Sequence, residues 1–229
     1  LTQNECRQII HFHKTHHNLR TLGNGSDYRG IRFLHIQTPW VRQLIGKVSL
    51  NLICEIYKTQ GKVVYPEMIS INEWPIGGYQ DPHLDTYSYQ ERDDVDYNEE
   101  EREKSPRREW TCIVYLNDDY TGGETYFPPT DFYPFGYQVE KNVGDGLLFQ
   151  GIYHGHGVFK VRRNPRHTLA IWFSDNIDYA MTQRPIVELE HNENTIRHHL
   201  QYNVDDTLYN ADGYLTGSDW VDWKRQAKS

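Results

Sequence analysis

The sequence is short of cysteine, of basic charge and of long apolar runs, and each shortage excludes a class of protein. Its three cysteines, Cys6, Cys54 and Cys112, are odd in number, far apart and without a Cys-x-x-Cys pair. They read as buried thiols in a reducing compartment, not as a disulfide framework, and the expected location is cytoplasmic. Lys and Arg total 24 against 32 Asp and Glu, a formal net charge of −8. Nucleic acid and anionic membrane both need a basic surface, so neither is an expected partner. No apolar run reaches membrane-spanning length and no signal peptide is visible. The chain opens on Leu1 instead of Met, which leaves a removed leader open.

What the chain has instead is aromatic and turn chemistry. Apolar residues make up only 37%, yet aromatics reach 14%, with 17 Tyr, 6 Trp and 17 Gly. That balance leans towards β structure, and 229 residues suffice for one domain with a full core. We expect a single domain in three parts. Residues 1–64 give helical support, 65–175 the strand-rich core, and 176–229 a polar extension in which Trp220 and Trp223 dock on the body.

The first helix is expected from Thr2 to Asn18, opened by a Thr2/Glu5 capping box. His13, His16 and His17 share one of its faces. With no carboxylate beside them in the sequence, they read as a solvated polar face more readily than as a metal site. A strand is expected over Ile31–Ile36. A second helix follows, with Thr38 as N-cap, Pro39 at its first position, an apolar stripe from Val41 to Ile56, and Gly61 closing it. From Tyr65 the pattern becomes short strands parted by turns. They are expected at Met68–Trp74, around His83, and at Trp110–Leu116, Glu124–Phe127, Phe132–Val139, Gly146–Phe149, His156–Val161 and Thr168–Ser174. That cadence predicts a sandwich or jelly roll with supporting helices, an α+β chain that is mainly β. Tyr89–Glu109 is almost wholly charged, acids before bases, and is expected to be a loop that closes over a site as a lid.

The chemistry gathers on Tyr79-Gln80-Asp81-Pro82-His83-Leu84-Asp85. In a strand, positions two apart face the same way, so His83 and Asp85 present an imidazole and a carboxylate together. That is two thirds of the facial triad that holds non-haem Fe(II). The third ligand should come from a later strand. His154 and His156 compete for it, and periodicity alone does not choose between them. His156 does open the alternation that runs on through Val158, and Arg166 follows ten residues later.

Taken in order, His83-x-Asp85, Thr111-Cys112-Ile113-Val114-Tyr115-Leu116-Asn117, Gly122-Gly123-Glu124-Thr125, Gly144-Asp145-Gly146-Leu147-Leu148-Phe149, His156-Gly157-Val158 and Arg166 ahead of Trp172-Phe173 resemble the 2-oxoglutarate, Fe(II)-dependent dioxygenases of the prolyl 4-hydroxylase type. The resemblance spans about Tyr65 to Ser174 and the opening helix. It implies a double-stranded β-helix and names His83, Asp85 and His156 as iron ligands. It implies that Arg166 pairs with the distal carboxylate of 2-oxoglutarate, helped by Tyr115 and Thr111, and that Trp172 faces the substrate. It also implies O2 as second cosubstrate and admits ascorbate as an accessory reductant. One position departs from the pattern. Trp74 stands nine residues before the first ligand, where these enzymes usually carry Tyr, and Tyr79 or Tyr115 is expected to make good the missing hydroxyl.

The expected activity is therefore hydroxylation of an unactivated C–H bond, foremost in a prolyl residue of a peptide or protein, with release of succinate and CO2. A free amino acid or small metabolite is the alternative substrate. A non-catalytic β-sandwich binding module is the alternative of another class. A binding module has no reason to assemble a triad and an arginine together.

Overall fold

The computed structural model describes residues 1–22, 28–85, 108–131 and 134–181. Helix α1 (Gln3–Thr15) starts as expected: the backbone N–H of Glu5 donates to the Thr2 hydroxyl, and the Glu5 carboxylate accepts from the Thr2 backbone. Its buried face is Cys6, Ile9, Phe12 and His13. Helix α2 (Pro39–Gln60) begins with the proline at its first turn. It ends on Gly61, whose φ of 67° is the left-handed conformation that costs glycine least. Thr38 occupies the N-cap position, but its hydroxyl makes no capping bond.

Among the described residues there are ten strands, of which the first, Thr21–Leu22, is unexpected and the other nine follow the expected cadence with changed bounds. They are β1 (Thr21–Leu22), β2 (Arg29–Arg32), β3 (Tyr65–Trp74), β4 (Gln80–His83), β5 (Trp110–Tyr115), β6 (Thr125–Phe127), β7 (Tyr137–Gln138), β8 (Gly146–Phe149), β9 (His156–Val158) and β10 (Arg166–Ser174). The strand expected over Ile31–Ile36 stops at Arg32, because Phe33–His35 turn as a 3₁₀ helix. Of the one expected over Phe132–Val139, Phe132 and Tyr133 lie outside the described residues, and the rest holds the two residues of β7. Of the charged loop Tyr89–Glu109, all but Arg108 and Glu109 lie outside the described residues, as do Trp220, Trp223 and most of the 176–229 extension.

The strands form two antiparallel sheets, ordered β1-β2-β3-β10-β5-β8 and β4-β9-β6-β7. Successive strands from β3 to β6 alternate between the sheets, an arrangement consistent with a jelly roll. Strand β10 is central in the larger sheet, flanked by β3 and β5, and all nine of its residues are buried. The alternation of side chains along it divides two environments. Leu169, Ile171 and Phe173 join Cys6, Ile9, Ile45 and Ile53 in the main apolar core under the helices. Each such burial contributes about 1.5–3 kcal/mol. Arg166, Thr168, Ala170 and Trp172 take the opposite parity, towards the second sheet.

The first helix holds one surprise. His13 does not lie on a solvated face; it is fully buried, with its Nδ1 3.8 Å from Oε2 of Glu73. The carboxylate comes from β3, sixty residues on, where helix periodicity has no view of it. Among the described residues no helix is long and apolar enough to cross a membrane.

Candidate active site

Between the sheets, His83, Asp85 and His156 bring their ligand atoms within 4.8 Å of one another. The strands explain how. His83 and His156 are direct cross-strand partners of β4 and β9, so their rings project together, with centroids 4.6 Å apart. Asp85 lies just beyond the end of β4, not within an extended strand. It is fixed instead by its backbone N–H, which donates to the Gly151 carbonyl at 3.1 Å. The Thr111 hydroxyl also donates to Asp85 Oδ2, at 2.5 Å. From the two carboxylate oxygens, Oδ1 stands 3.8 Å from His83 Nε2 and Oδ2 stands 3.6 Å from His156 Nε2.

The tautomers suit a metal. His83 Nδ1 is 3.0 Å from the Asp81 carbonyl and His156 Nδ1 is 3.1 Å from the His154 carbonyl, and a carbonyl can only accept. Each Nδ1 therefore carries the proton, and each Nε2 presents a lone pair towards Asp85. The Gln80 amide lies 3.1 Å from His83 Nε2 and donates to it, consistent with that lone pair. Burial lowers the pKa of His156, more than Asp85 raises it, which favours the neutral imidazole that metals bind. Of the two competing histidines, His154 is exposed and His156 buried against Phe149. Gly151 has a steric duty here: a Cβ at that position would stand 2.6 Å from Asp85 Oδ2 and would also strike the Thr111 hydroxyl.

Deeper in the same interior sits Arg166, 1% exposed. Its Nη2 donates to the Thr125 hydroxyl at 2.9 Å, while Nε and Nη1 find no partner among the described residues. Tyr115 donates to the same Thr125 oxygen at 3.0 Å. A hydroxyl has two lone pairs and one proton. With both lone pairs engaged, Thr125 is left with its own O–H to give. Tyr120, 2% exposed, also has a hydroxyl without a partner. Burial pushes that phenol up to about 12, against the opposing pull of Arg166. Arg166, Thr125 and Tyr120 thus hold spare donors around one buried cation. An unpaired buried guanidinium is costly, and an anion with several acceptor oxygens is what offsets it.

Sequence reasoning named Arg166 and Tyr115 and missed Thr125 and Tyr120. Thr125 is the first residue after the Gly122-Gly123-Glu124 turn and the inward position of a short strand, which was the available signal. Trp74 does not restore a hydroxyl; it is the cross-strand partner of Arg166 and lays its ring 5.7 Å from the guanidinium carbon. Tyr79 is 47% exposed; Tyr115, whose ring lies 5.6 Å from the Arg166 guanidinium carbon, gives its O–H to Thr125, and Tyr120 has a hydroxyl unpartnered among the described residues. Thr111 is drawn to Asp85. Trp172 pairs across the ladder with Thr111, lies under the Arg108 guanidinium at 5.1 Å, and keeps a buried indole N–H without a partner among the described residues.

Residues 69–174 match the model of the 2OG-Fe(II) oxygenase superfamily. Among curated proteins, the chain is 35% identical to prolyl 3-hydroxylase 1 of Rattus norvegicus over 84 residues, 36% of this chain and 11% of that one. It is 28% identical to prolyl 3-hydroxylase 2 of Mus musculus over 106 residues, 44% of this chain and 15% of that one. The chain thus matches only about a tenth of the length of these relatives. Among solved structures, it resembles a Pseudomonas putida prolyl-4-hydroxylase, with TM-score 0.58, 16% identity, and 76% and 87% of the two chains covered. It also resembles a prolyl hydroxylase from Trichoplax adhaerens solved with a hypoxia inducible factor peptide, with TM-score 0.57, 14% identity, and 80% and 82% covered. The similarity to the 2OG-Fe(II) oxygenase superfamily covers residues 69–174, just under half of the chain, and His83, Asp85, His156 and Arg166 all lie within it.

Proposed function

We propose that the whole chain is one oxygenase domain that hydroxylates a prolyl residue in a peptide, using Fe(II), 2-oxoglutarate and O2. In this reading His83, Asp85 and His156 hold the iron. Two neutral imidazoles and one carboxylate, with both outer nitrogens fixed by backbone carbonyls, are a donor set of the right type. When bound, iron and 2-oxoglutarate supply the oxidising power: O2 and the keto acid are consumed, one oxygen atom enters the C–H bond, and succinate and CO2 leave. The protein supplies ligand orientation, an anion pocket and a dry interior.

Arg166 takes the distal carboxylate of 2-oxoglutarate, with Thr125 and Tyr120 adding hydroxyl donors. Thr111 keeps the Asp85 carboxylate turned towards the histidines. Trp172, whose indole N–H has no partner among the described residues, faces the peptide. The observation that carries the reading is the coincidence, in one interior, of the triad and a buried arginine with two guanidinium nitrogens unpartnered among the described residues. Support for a prolyl substrate comes from the names of the relatives and neighbours.

The test is an anaerobically loaded enzyme given O2, 2-oxoglutarate and proline-containing peptides. Expected results are succinate release stimulated by peptide and a gain of one oxygen atom on a prolyl ring, with product analysis reading the ring position. Succinate release stimulated only by a free amino acid would replace the peptide with a small substrate. No succinate from folded, iron-loaded protein would overturn the reading.

A further inference from the structure

On the outer face of the larger sheet, beneath α1, a second set of metal-ligating side chains converges: His13, Glu73 and His167. They come from α1, β3 and β10, and Glu73 and His167 are direct partners across the ladder. All three are buried. Their chain neighbours Trp74 and Arg166 face the inner site, so parity places this cluster on the other side of the sheet.

The hydrogen bonding fixes what each atom offers. His13 Nε2 lies 3.0 Å from the Arg29 carbonyl, a contact that needs its proton on Nε2. In the neutral ring Nδ1 then bears a lone pair. That atom is buried without a hydrogen-bond partner among the described residues, and it faces a carboxylate oxygen, Glu73 Oε2, at 3.8 Å. A lone pair set against a carboxylate is repulsive unless a positive charge stands between them. A proton there is opposed by burial and by Arg20, which hold His13 down to about 4. Glu73 is held down to about 2, foremost by a hydrogen bond from His167, whose proton a metal ion would have to displace. Its oxygens divide their duties. Oε1 faces Arg20 at 3.9 Å and Arg29 at 3.8 Å, whereas Oε2 faces His13 and, at 3.3 Å, Nε2 of His167. The other ring nitrogen of His167, Nδ1, has no hydrogen-bond partner among the described residues.

We infer that His13 Nδ1, His167 Nε2 and Glu73 Oε2 form a second cation site, for a divalent ion of the zinc class that fastens α1 to β3 and β10. Ligands held at about 2.0–2.1 Å from a tetrahedral zinc stand about 3.3–3.4 Å apart. The observed separations of 3.3 and 3.8 Å approach that with slight side-chain rotation. Two imidazoles and a carboxylate suit zinc chemically. The guanidiniums do not compete for Oε2. Arg20 is also tied to the His13 carbonyl through Nε and Nη2, and Arg29 is half exposed, so solvent screens its charge. The three ligands come from three elements, so the ion would hold those elements together, with the fourth tetrahedral position left to water.

The experiment removes the inner ligand set and asks what still binds. In the full chain carrying Asp85→Ala and His156→Ala, zinc is added and excess removed by desalting. One equivalent per chain should remain. Zinc at about 100 times its Kd should raise Tm by about 5–10 °C. Adding His13→Gln should abolish both effects while far-UV circular dichroism stays unchanged. X-ray absorption on the retained zinc should show two imidazole nitrogens, a readout that needs no change in the cluster if His13→Gln fails to fold. No zinc retained by the folded double variant, an equal amount retained after His13→Gln, or a zinc shell without imidazole overturns the inference and leaves a proton-holding ion network.

Discussion

The Thr111 hydroxyl donates to Oδ2 of Asp85 at 2.5 Å, and so joins the start of β5 to the carboxylate that follows β4. This bond crosses between the two sheets and sets which way the carboxylate turns. Thr111→Val keeps the shape and removes the donor. Iron affinity should fall about 10–100-fold, the usual cost of losing a partner behind a metal ligand. Thr111→Ser should restore most of it. Equilibrium binding of Fe(II) under anaerobic conditions measures both, and unchanged affinity in Thr111→Val would deny Thr111 that role.

Gly151 predicts a steric version of the same effect. Its added Cβ would meet Asp85 and Thr111 together. Gly151→Ala should therefore lose iron binding while Tm falls by only a few degrees, since the clash is local. Normal iron affinity in this variant would mean that the chain around Gly151 gives way.

Arg166 and Tyr120 should act on 2-oxoglutarate and not on iron. Arg166→Ala removes the cationic partner of a buried carboxylate, a loss of about 3 kcal/mol or roughly 100-fold in affinity. Tyr120→Phe removes one neutral donor, about 1 kcal/mol. Titration of 2-oxoglutarate into metal-loaded protein, followed by its metal-to-ligand absorption band, reads both. Equal losses in the two variants would contradict the division between a charged and an auxiliary contact.

The two histidines of His154-Gly155-His156 should separate cleanly. His154 is exposed and lends only its backbone carbonyl, which His154→Ala retains. His154→Ala should keep iron affinity within about 2-fold, whereas His156→Ala should lose it. The reverse result would move the metal ligand to His154.

All three cysteines are free and buried, and burial pushes Cys54 and Cys112 up to about 12 and raises Cys6 as well. A thiol reacts as its thiolate. Native protein at pH 8 should therefore react with a disulfide reagent at less than about 1% of the rate of free thiol, with all three reacting on unfolding. Fast reaction of one thiol in the native state would place it nearer solvent.

The sequence by itself determined the local events. The Thr2/Glu5 box, Pro39 and Gly61 bound the helices through chemistry within one turn, and two-residue alternation with Gly-rich turns marked the strands. His83, Asp85 and Arg166 could be singled out because their residue types are rare in those surroundings and their order is informative. Only the tertiary structure decided which side chains meet. The pairing of His83 with His156 depends on the register of β4 against β9. The spare donor of Thr125 becomes visible only once Arg166 and Tyr115 are seen to fill its two lone pairs. His13 looked like surface because its partners, Glu73 and His167, lie on strands sixty and more residues away. Local spacing is written in the chain's own periodicity, whereas contacts between strands depend on how sheets close, which no short window of sequence contains.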